Sequence, residues 1–223
     1  MENQRIRLAL PKGSLNRIGR GNTESLLIDA GYDVLGYTPG AERSEQLAIG
    51  NDREITLSLV NPKNAPRDLS RGLADIAIIG QDWVDEMTGI AGPLTKLEDL
   101  RFGEVTVVFA MPTARAAPGL TEYFLSNSDD GNSEHPIIVY TEYVALTKER
   151  FLGNEGYRRR FGDRSPVVEH GTLREGQNEL VQIIYSEGAT EEYITKGFPI
   201  VDNVQSGNTL ARAGGTVVDV LMV

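Results

Sequence analysis

The chain has 223 residues, 40% of them hydrophobic and 24% charged, a balance that supports a packed core and excludes wholesale disorder or a fibrous chain. Lys and Arg number 22 against 32 Asp and Glu, a formal net charge of −10, which repels polyanions and argues against nucleic acid as a partner. Cysteine is absent and His135 and His170 are the only histidines, so disulfides, thiolate metal sites and a cysteine nucleophile are excluded and imidazole chemistry is in short supply. Length allows one domain or two small lobes.

The first ten residues hold Arg5 and Arg7 but no apolar signal segment, and no apolar run approaches the ~18 residues of a membrane span. A cytoplasmic protein without a membrane partner is expected. Residues 5–10 (RIRLAL) read as a strand closed by Pro11-Lys12-Gly13. A helix follows, with Ser14 or Asn16 as cap, Leu26, Leu27 and Ala30 as its apolar face, and Gly31 as its stop. Residues 55–60 (ITLSLV) alternate as a strand. The turn at residues 61–66 then leads into an amphipathic segment ending at Gly72, a buried strand over 74–79 (ADIAII), Gly80, and a helix over about 82–87. This strand and helix rhythm is that of a parallel sheet.

Residues 105–111 (VTVVFAM) form another apolar run between Gly103 and Pro112, and the polar stretch 126–136 reads as a mobile surface loop. The α/β rhythm resumes with a strand at 137–140, a helix around 145–152, and apolar runs at 180–185, 199–204 and 216–223. Two α/β lobes fit this order, the first formed by residues 1–104 and 214–223 and the second by residues 105–213.

The stretch at residues 201–210 (VDNVQSGNTL) runs an apolar strand into a Ser-Gly-x-Thr turn. Small residues there let backbone N–H groups converge, and the hydroxyls add donors, which suits a phosphate. Asp202, on the strand, is placed to accept from sugar hydroxyls or to hold a divalent cation through water; a plain glycine turn is the competing reading. Pro11-Lys12-Gly13-Ser14 sets a cation, a glycine and a hydroxyl at the end of the first strand, where open α/β sheets bind ligands, against a solvated lysine in a tight turn. Gly188-Ala189-Thr190-Glu191-Glu192 reads as a helix cap or as a small-residue turn presenting carboxylates. The basic run Arg158-Arg159-Arg160 reads as a solvated face, and neither histidine has metal-pair spacing.

In their order, residues 6–15 (IRLALPKGSL), 59–72 (LVNPKNAPRDLSRG), 74–82 (ADIAIIGQD), 97–112 (LEDLRFGEVTVVFAMP), 188–191 (GATE) and 202–210 (DNVQSGNTL) resemble the ATP phosphoribosyltransferase family of histidine biosynthesis. The resemblance implies two lobes of periplasmic-binding-protein-like α/β topology with the active site in the cleft between them. It implies a Mg²⁺-dependent glycosyltransferase in which N1 of ATP displaces pyrophosphate from phosphoribosyl pyrophosphate. By matching position, Asp202, Ser206, Gly207, Asn208 and Thr209 bind the phosphoribosyl donor. Lys12, Gly13, Asn61, Gly80, Asp82 and Tyr143 line the nucleotide side, and Lys12, Lys63 and Glu191 carry the chemistry, with no firm protein ligand for the metal. A homo-oligomer, and a regulatory subunit resembling histidyl-tRNA synthetase as in the short form of the family, are the implied partners.

The chain departs from the family's usual residues at several positions. Asn61 stands for an arginine, Asn64 for an acidic residue, Glu45-Gln46 for an Arg-Lys pair, and Glu142 for a lysine. Lys63, Arg43 or Arg53 would then have to face the departing pyrophosphate, and lysine offers a point charge where arginine offers a bidentate fork. These losses keep two alternatives open: a related transferase with a different acceptor, or a noncatalytic two-lobed small-molecule binding protein.

Overall fold

The protein is described by a computed structural model covering residues 5–16, 22–39, 47–126, 130–204 and 208–223. The chain divides into a first unit ending at Glu104 and a second spanning Val105–Val223.

The first unit is built on β1 (Ile6–Pro11). After a 3-10 turn at Gly13–Asn16 come α1 (Thr23–Asp29), the short antiparallel pair β2 (Val34–Leu35) and β3 (Ala48–Ile49), and β4 (Ile55–Val60). A second 3-10 turn at Pro62–Asn64 leads to α2 (Ala65–Ser70), β5 (Ile76–Ala77) and α3 (Gln81–Ala91). β1 lies between β4 and β5 and is parallel to both, in register from Ile6 opposite Ile55 to Pro11 opposite Val60. Leu10, Leu27 and Tyr37 form the buried cluster, with Leu8, Leu57, Leu59 and Ile78 packed on it. The Tyr37 hydroxyl donates to the Pro11 carbonyl at 2.8 Å, so a buried polar group is satisfied where the central strand ends.

Two expectations for this unit are corrected. The cap of α1 is Asn22, which accepts from Ser25 N at 2.8 Å, whereas Asn16 reaches across from the preceding turn to accept from Glu24 N at 3.2 Å. Residues 74–79 yield a two-residue strand, not a long buried one, and Ile76 within it is exposed. That short strand is held by charge. The Asp75 carboxylate accepts from the backbone N–H of Arg7 at 2.8 Å and from its guanidinium at 3.0 and 2.7 Å.

The second unit contains β6 (Thr106–Pro112), α4 (Leu120–Ser126), β7 (Ile137–Thr141), α5 (Val144–Gly153), α6 (Glu155–Phe161), β8 (Pro166–His170), β9 (Leu173–Glu175), β10 (Asn178–Tyr185), α7 (Glu192–Thr195), β11 (Ile200–Val204), α8 (Asn208–Arg212) and β12 (Gly215–Met222). Its sheet has the order β12-β6-β11-β7-β10-β8-β9. β11, β7, β10 and β8 are mutually parallel neighbours, whereas β6 runs antiparallel to β11 and to β12.

Every residue from Val107 to Met111 is buried, as expected of a strand with both faces covered. On one side an aromatic core gathers Phe109, Tyr123, Phe124, Phe151 and Tyr157, with edge-on contacts such as Phe124 to Phe151 at 5.1 Å between centroids. On the other, Val108, Ala110, Ile194, Ile200 and Leu210 cluster. α6 comes so close to α4 that a Cβ on Gly156 would stand 2.4 Å from the Thr121 carbonyl oxygen.

Residues 214–223 were expected in the first lobe. They belong instead to the second unit, because β12 returns antiparallel along β6, with Gly215 opposite Pro112 and Met222 opposite Val107. The polar stretch after α4 is tied down where it is described: Asp130 pairs with Arg115, and Gly131 N donates to the His135 carbonyl at 2.6 Å. Arg160, in the basic run, donates to the Phe124 carbonyl at 2.8 Å and to the Asp130 carbonyl, so it closes the chain against α4. Among the described residues no helix is long and apolar enough to cross a membrane.

Candidate active site

Parallel strands deliver their following loops to one rim of a sheet, and ligands of open α/β sheets gather there. In the first unit that rim carries Lys12 and Gly13 after β1, Asn61 and Lys63 after β4, and Gly80 after β5. Lys12 N donates to the Val60 carbonyl at 2.9 Å, extending the ladder one step past the strands. Gly13 then turns the chain with φ of 75°, a left-handed conformation that suits glycine.

Two side chains assigned to the nucleotide have other work here. The Asn61 side-chain oxygen Oδ1 accepts from Lys63 N at 3.3 Å and caps the 3-10 turn. Asp82 is buried in the first turn of α3 with its carboxylate folded against Gly80, where a Cβ would stand 2.2 Å from Oδ1. A side chain at position 80 would therefore have to displace the Asp82 carboxylate. Of the substitutes for the missing arginines, Lys63 stands on this rim. Arg53 precedes β4 and so stands at the opposite rim, about 17 Å away along a six-residue strand. Arg43 lies outside the described residues, as do Glu45 and Gln46.

In the second unit β7, β10 and β11 bring their C-terminal ends to one rim. Glu142 and Tyr143 follow β7, the turn from Ser186 to Glu191 follows β10, and Asp202 lies near the end of β11 with Asn208 and Thr209 opening α8. Asn208 and Thr209 are exposed, while Leu210 anchors the helix in the apolar cluster. Ser206 and Gly207, assigned to the donor phosphate, lie outside the described residues.

Tyr143 is fully buried, and its hydroxyl accepts from Asn203 Nδ2 at 2.8 Å, so it positions the residue beside Asp202. Sequence reasoning missed Asn203, whose amide has an evident role only once β7 and β11 are known to be neighbours. It also missed the buried hydroxyl pair Ser186 and Thr190, 2.7 Å apart, which closes the turn bearing Glu191.

Electrostatics single out Asp202. Burial pushes its carboxyl up to about 7, against the one backbone N–H bond it receives from Asn203 at 2.8 Å, and the negative charges of Glu191 and Glu142 push the same way. A carboxyl that retains its proton near neutrality is a poor metal ligand and a good partner for hydroxyl groups. Among the described residues no group of three or more His, Asp or Glu side chains converges to hold a metal ion. The rim as built offers a carboxyl pair, Glu191 and Asp202, and an exposed hydroxyl and amide at the start of α8.

The family model described as HisG, ATP phosphoribosyltransferase, matches residues 61–223. The chain belongs to the ATP phosphoribosyltransferase family. The matched region contains Asn61, Lys63, Glu191 and Asp202 through Thr209, and leaves Lys12 and Gly13 outside it.

An ATP phosphoribosyltransferase from Solibacter usitatus is 27% identical over 159 residues, covering 69% of this chain and 46% of its own length. The chain thus spans about half of that relative. One from Brucella ovis is 25% identical over 189 residues, covering 83% of this chain and 79% of the relative. Among solved structures, the ATP phosphoribosyl transferase (HisG:HisZ) complex from Thermotoga maritima matches with a TM-score of 0.58 at 19% identity, over 97% of this chain and 83% of the matched one. That likeness gives the fold, the mixed α/β architecture of this family.

Proposed function

We propose that this chain transfers the phosphoribosyl group of phosphoribosyl pyrophosphate to N1 of ATP, releasing pyrophosphate, the first step of histidine biosynthesis. The observation that carries the reading is the rim of the second unit, where β11 and β10 flank β7 in one parallel set and lead to Asp202, to the turn bearing Glu191 and to Thr209 at the start of α8, within a chain of this family. In this reading Ser206, Gly207, Asn208 and Thr209 hold the 5′-phosphate, and Asp202 and Glu191 accept from the ribose hydroxyls. Lys12 and Lys63 supply positive charge to the pyrophosphate or the nucleotide triphosphate.

The adenine N1 lone pair forms the bond to the anomeric carbon as the bond from that carbon to the pyrophosphate oxygen breaks, and the electron pair leaves on pyrophosphate. No strong base is needed for this, so the protein's contribution is orientation and charge neutralisation. Mg²⁺ would neutralise phosphate charge on the donor, in line with its preference for phosphates over protein cages, and Asp202 is the side chain that would approach it, through water. A cytoplasmic homo-oligomer and a regulatory second chain belong to the same proposal; the fold shared with a HisG:HisZ complex supports the latter.

Calorimetric titration with phosphoribosyl pyrophosphate and with ATP in Mg²⁺ buffer, followed by an assay for phosphoribosyl-ATP, tests the reading. Binding of both ligands and formation of that product are expected. The capping role of Asn61, where the family usually has an arginine, favours one other reading, a transferase with a different acceptor. It predicts donor binding with no ATP binding in the same titration.

A further inference from the structure

Glu142 directly follows β7, and its surroundings give its carboxylate a structural role. β7 and β10 are parallel neighbours, and the ladder continues one step beyond them through Ser186 N, which donates to the Thr141 carbonyl at 2.9 Å. The chain then enters a turn in which Gly188 and Ala189 both have positive φ, 72° and 47°. For a residue with a Cβ this conformation costs roughly 1–2 kcal/mol, so something outside the residue must hold it. Two contacts do so. The Ser186 and Thr190 hydroxyls close the turn from within, and the Gly188 N–H donates to Glu142 Oε1 at 3.3 Å from the end of β7. The next residue after Thr190 is Glu191, whose negative charge helps to raise the Asp202 carboxyl.

We propose that Glu142 is a positioning residue that clamps the Gly188–Glu191 turn to the end of β7 and thereby fixes the Glu191 carboxylate beside Asp202 for reading the sugar hydroxyls of the donor. A lysine at this position carries no acceptor and could not hold the Gly188 N–H. The inference about the turn stands on the geometry of the free protein, and its link to the donor rests on the reading given under Proposed function.

Three proteins separate the two parts: wild type, Glu142→Gln, which keeps the acceptor oxygen, and Glu142→Ala, which removes it. Hydrogen exchange of the Gly188 amide in the free protein is expected to be about tenfold faster in Glu142→Ala and near wild type in Glu142→Gln, as a net bond of about 1.4 kcal/mol implies. Phosphoribosyl pyrophosphate affinity, by calorimetry in Mg²⁺, is expected to fall by about the same factor in Glu142→Ala and to be restored in Glu142→Gln, with thermal midpoints alike. Equal Gly188 exchange in all three proteins overturns the clamp. Altered exchange with unchanged donor affinity overturns its link to the donor. Absence of donor binding in wild type overturns the donor reading while the exchange data still decide the clamp.

Discussion

The Tyr143 hydroxyl accepts a hydrogen bond of 2.8 Å from the amide of Asn203, joining the residue that starts α5 to the one that follows Asp202 in β11. Tyr143 is fully buried and its own N–H donates to Thr141 Oγ1 at 2.7 Å, so the contact is fixed at both ends. Tyr143→Phe removes the acceptor and leaves the Asn203 amide short of a partner. A loss of about 1 kcal/mol in unfolding free energy is expected, together with weaker donor binding and unchanged ATP binding, as read by denaturant melts and calorimetry.

Asp202 links binding to pH. Its carboxyl, raised to about 7 in the folded chain, retains a proton that the unfolded chain gives up near the ordinary carboxylate range. The wild type therefore loses stability as pH rises from about 4 to about 7 and levels off above. Asp202→Asn removes this cost, so it is expected to be the more stable protein at pH 8, by roughly 2–4 kcal/mol, and equal to wild type near pH 4. Urea melts at both pH values check the sign; a variant less stable than wild type at pH 8 would refute it.

Thr209 is exposed at the start of α8 while Leu210 beneath it is buried. Thr209→Ala should leave the melting temperature within a degree or so of wild type and weaken phosphoribosyl pyrophosphate binding about 10- to 100-fold, the worth of a hydrogen bond to a charged group. Inorganic phosphate, titrated in competition with the donor, shows whether the lost contact is to the phosphate.

Asn61 caps the turn after β4 through Lys63 N. Asn61→Ala should cost about 0.5–2 kcal/mol of stability. Asn61→Arg should cost a similar amount while binding inorganic pyrophosphate more tightly, since it supplies the two-pronged donor that lysine lacks.

Gly156 serves as the control. An alanine there drives its methyl to 2.4 Å from the Thr121 carbonyl oxygen and should lower stability by about 1–3 kcal/mol through forced separation of α4 and α6. Ligand affinities at temperatures where the variant is folded should not change.

Much of the α/β order was legible because its strands are the kind that declare themselves. β4 matches its alternating stretch residue for residue, and the run through Val107–Met111 is continuous because the strand is covered on both sides. The two-residue β5 was overestimated, since apolar continuity in ADIAII does not reveal that Ile76 stands exposed and that pairing with β1 covers only Ile76 and Ala77. α6, β8 and β9 were missed. In the first, the three arginines mask a single buried i, i+4 pair, Tyr157 and Phe161, and β9 is a three-residue exposed edge with Arg174 held between Glu169 and Glu179 and no apolar period to read.

The site divided along the same line. Lys12 follows β1, Glu191 opens α7, Asp202 lies on β11 and Thr209 on α8, positions that the strand order makes plain. The roles of Tyr143, Asn61 and Asp82 depend on burial and capping, which follow from neighbours distant in sequence.

The guanidinium of Arg7 holds the Asp75 carboxyl down to about 2, so the clamp on β5 keeps its charge through any mild acidification and loses its contribution only as pH falls through that value. Asp202 changes state near neutrality. Acid therefore reaches the two units in separate windows: a titration from pH 8 to pH 5 rewrites the proton inventory of the second unit's rim while the edge strand of the first remains fastened. A change in donor binding across that interval that Asp202→Asn abolishes therefore reports on this one carboxyl, with the clamp on β5 unchanged throughout.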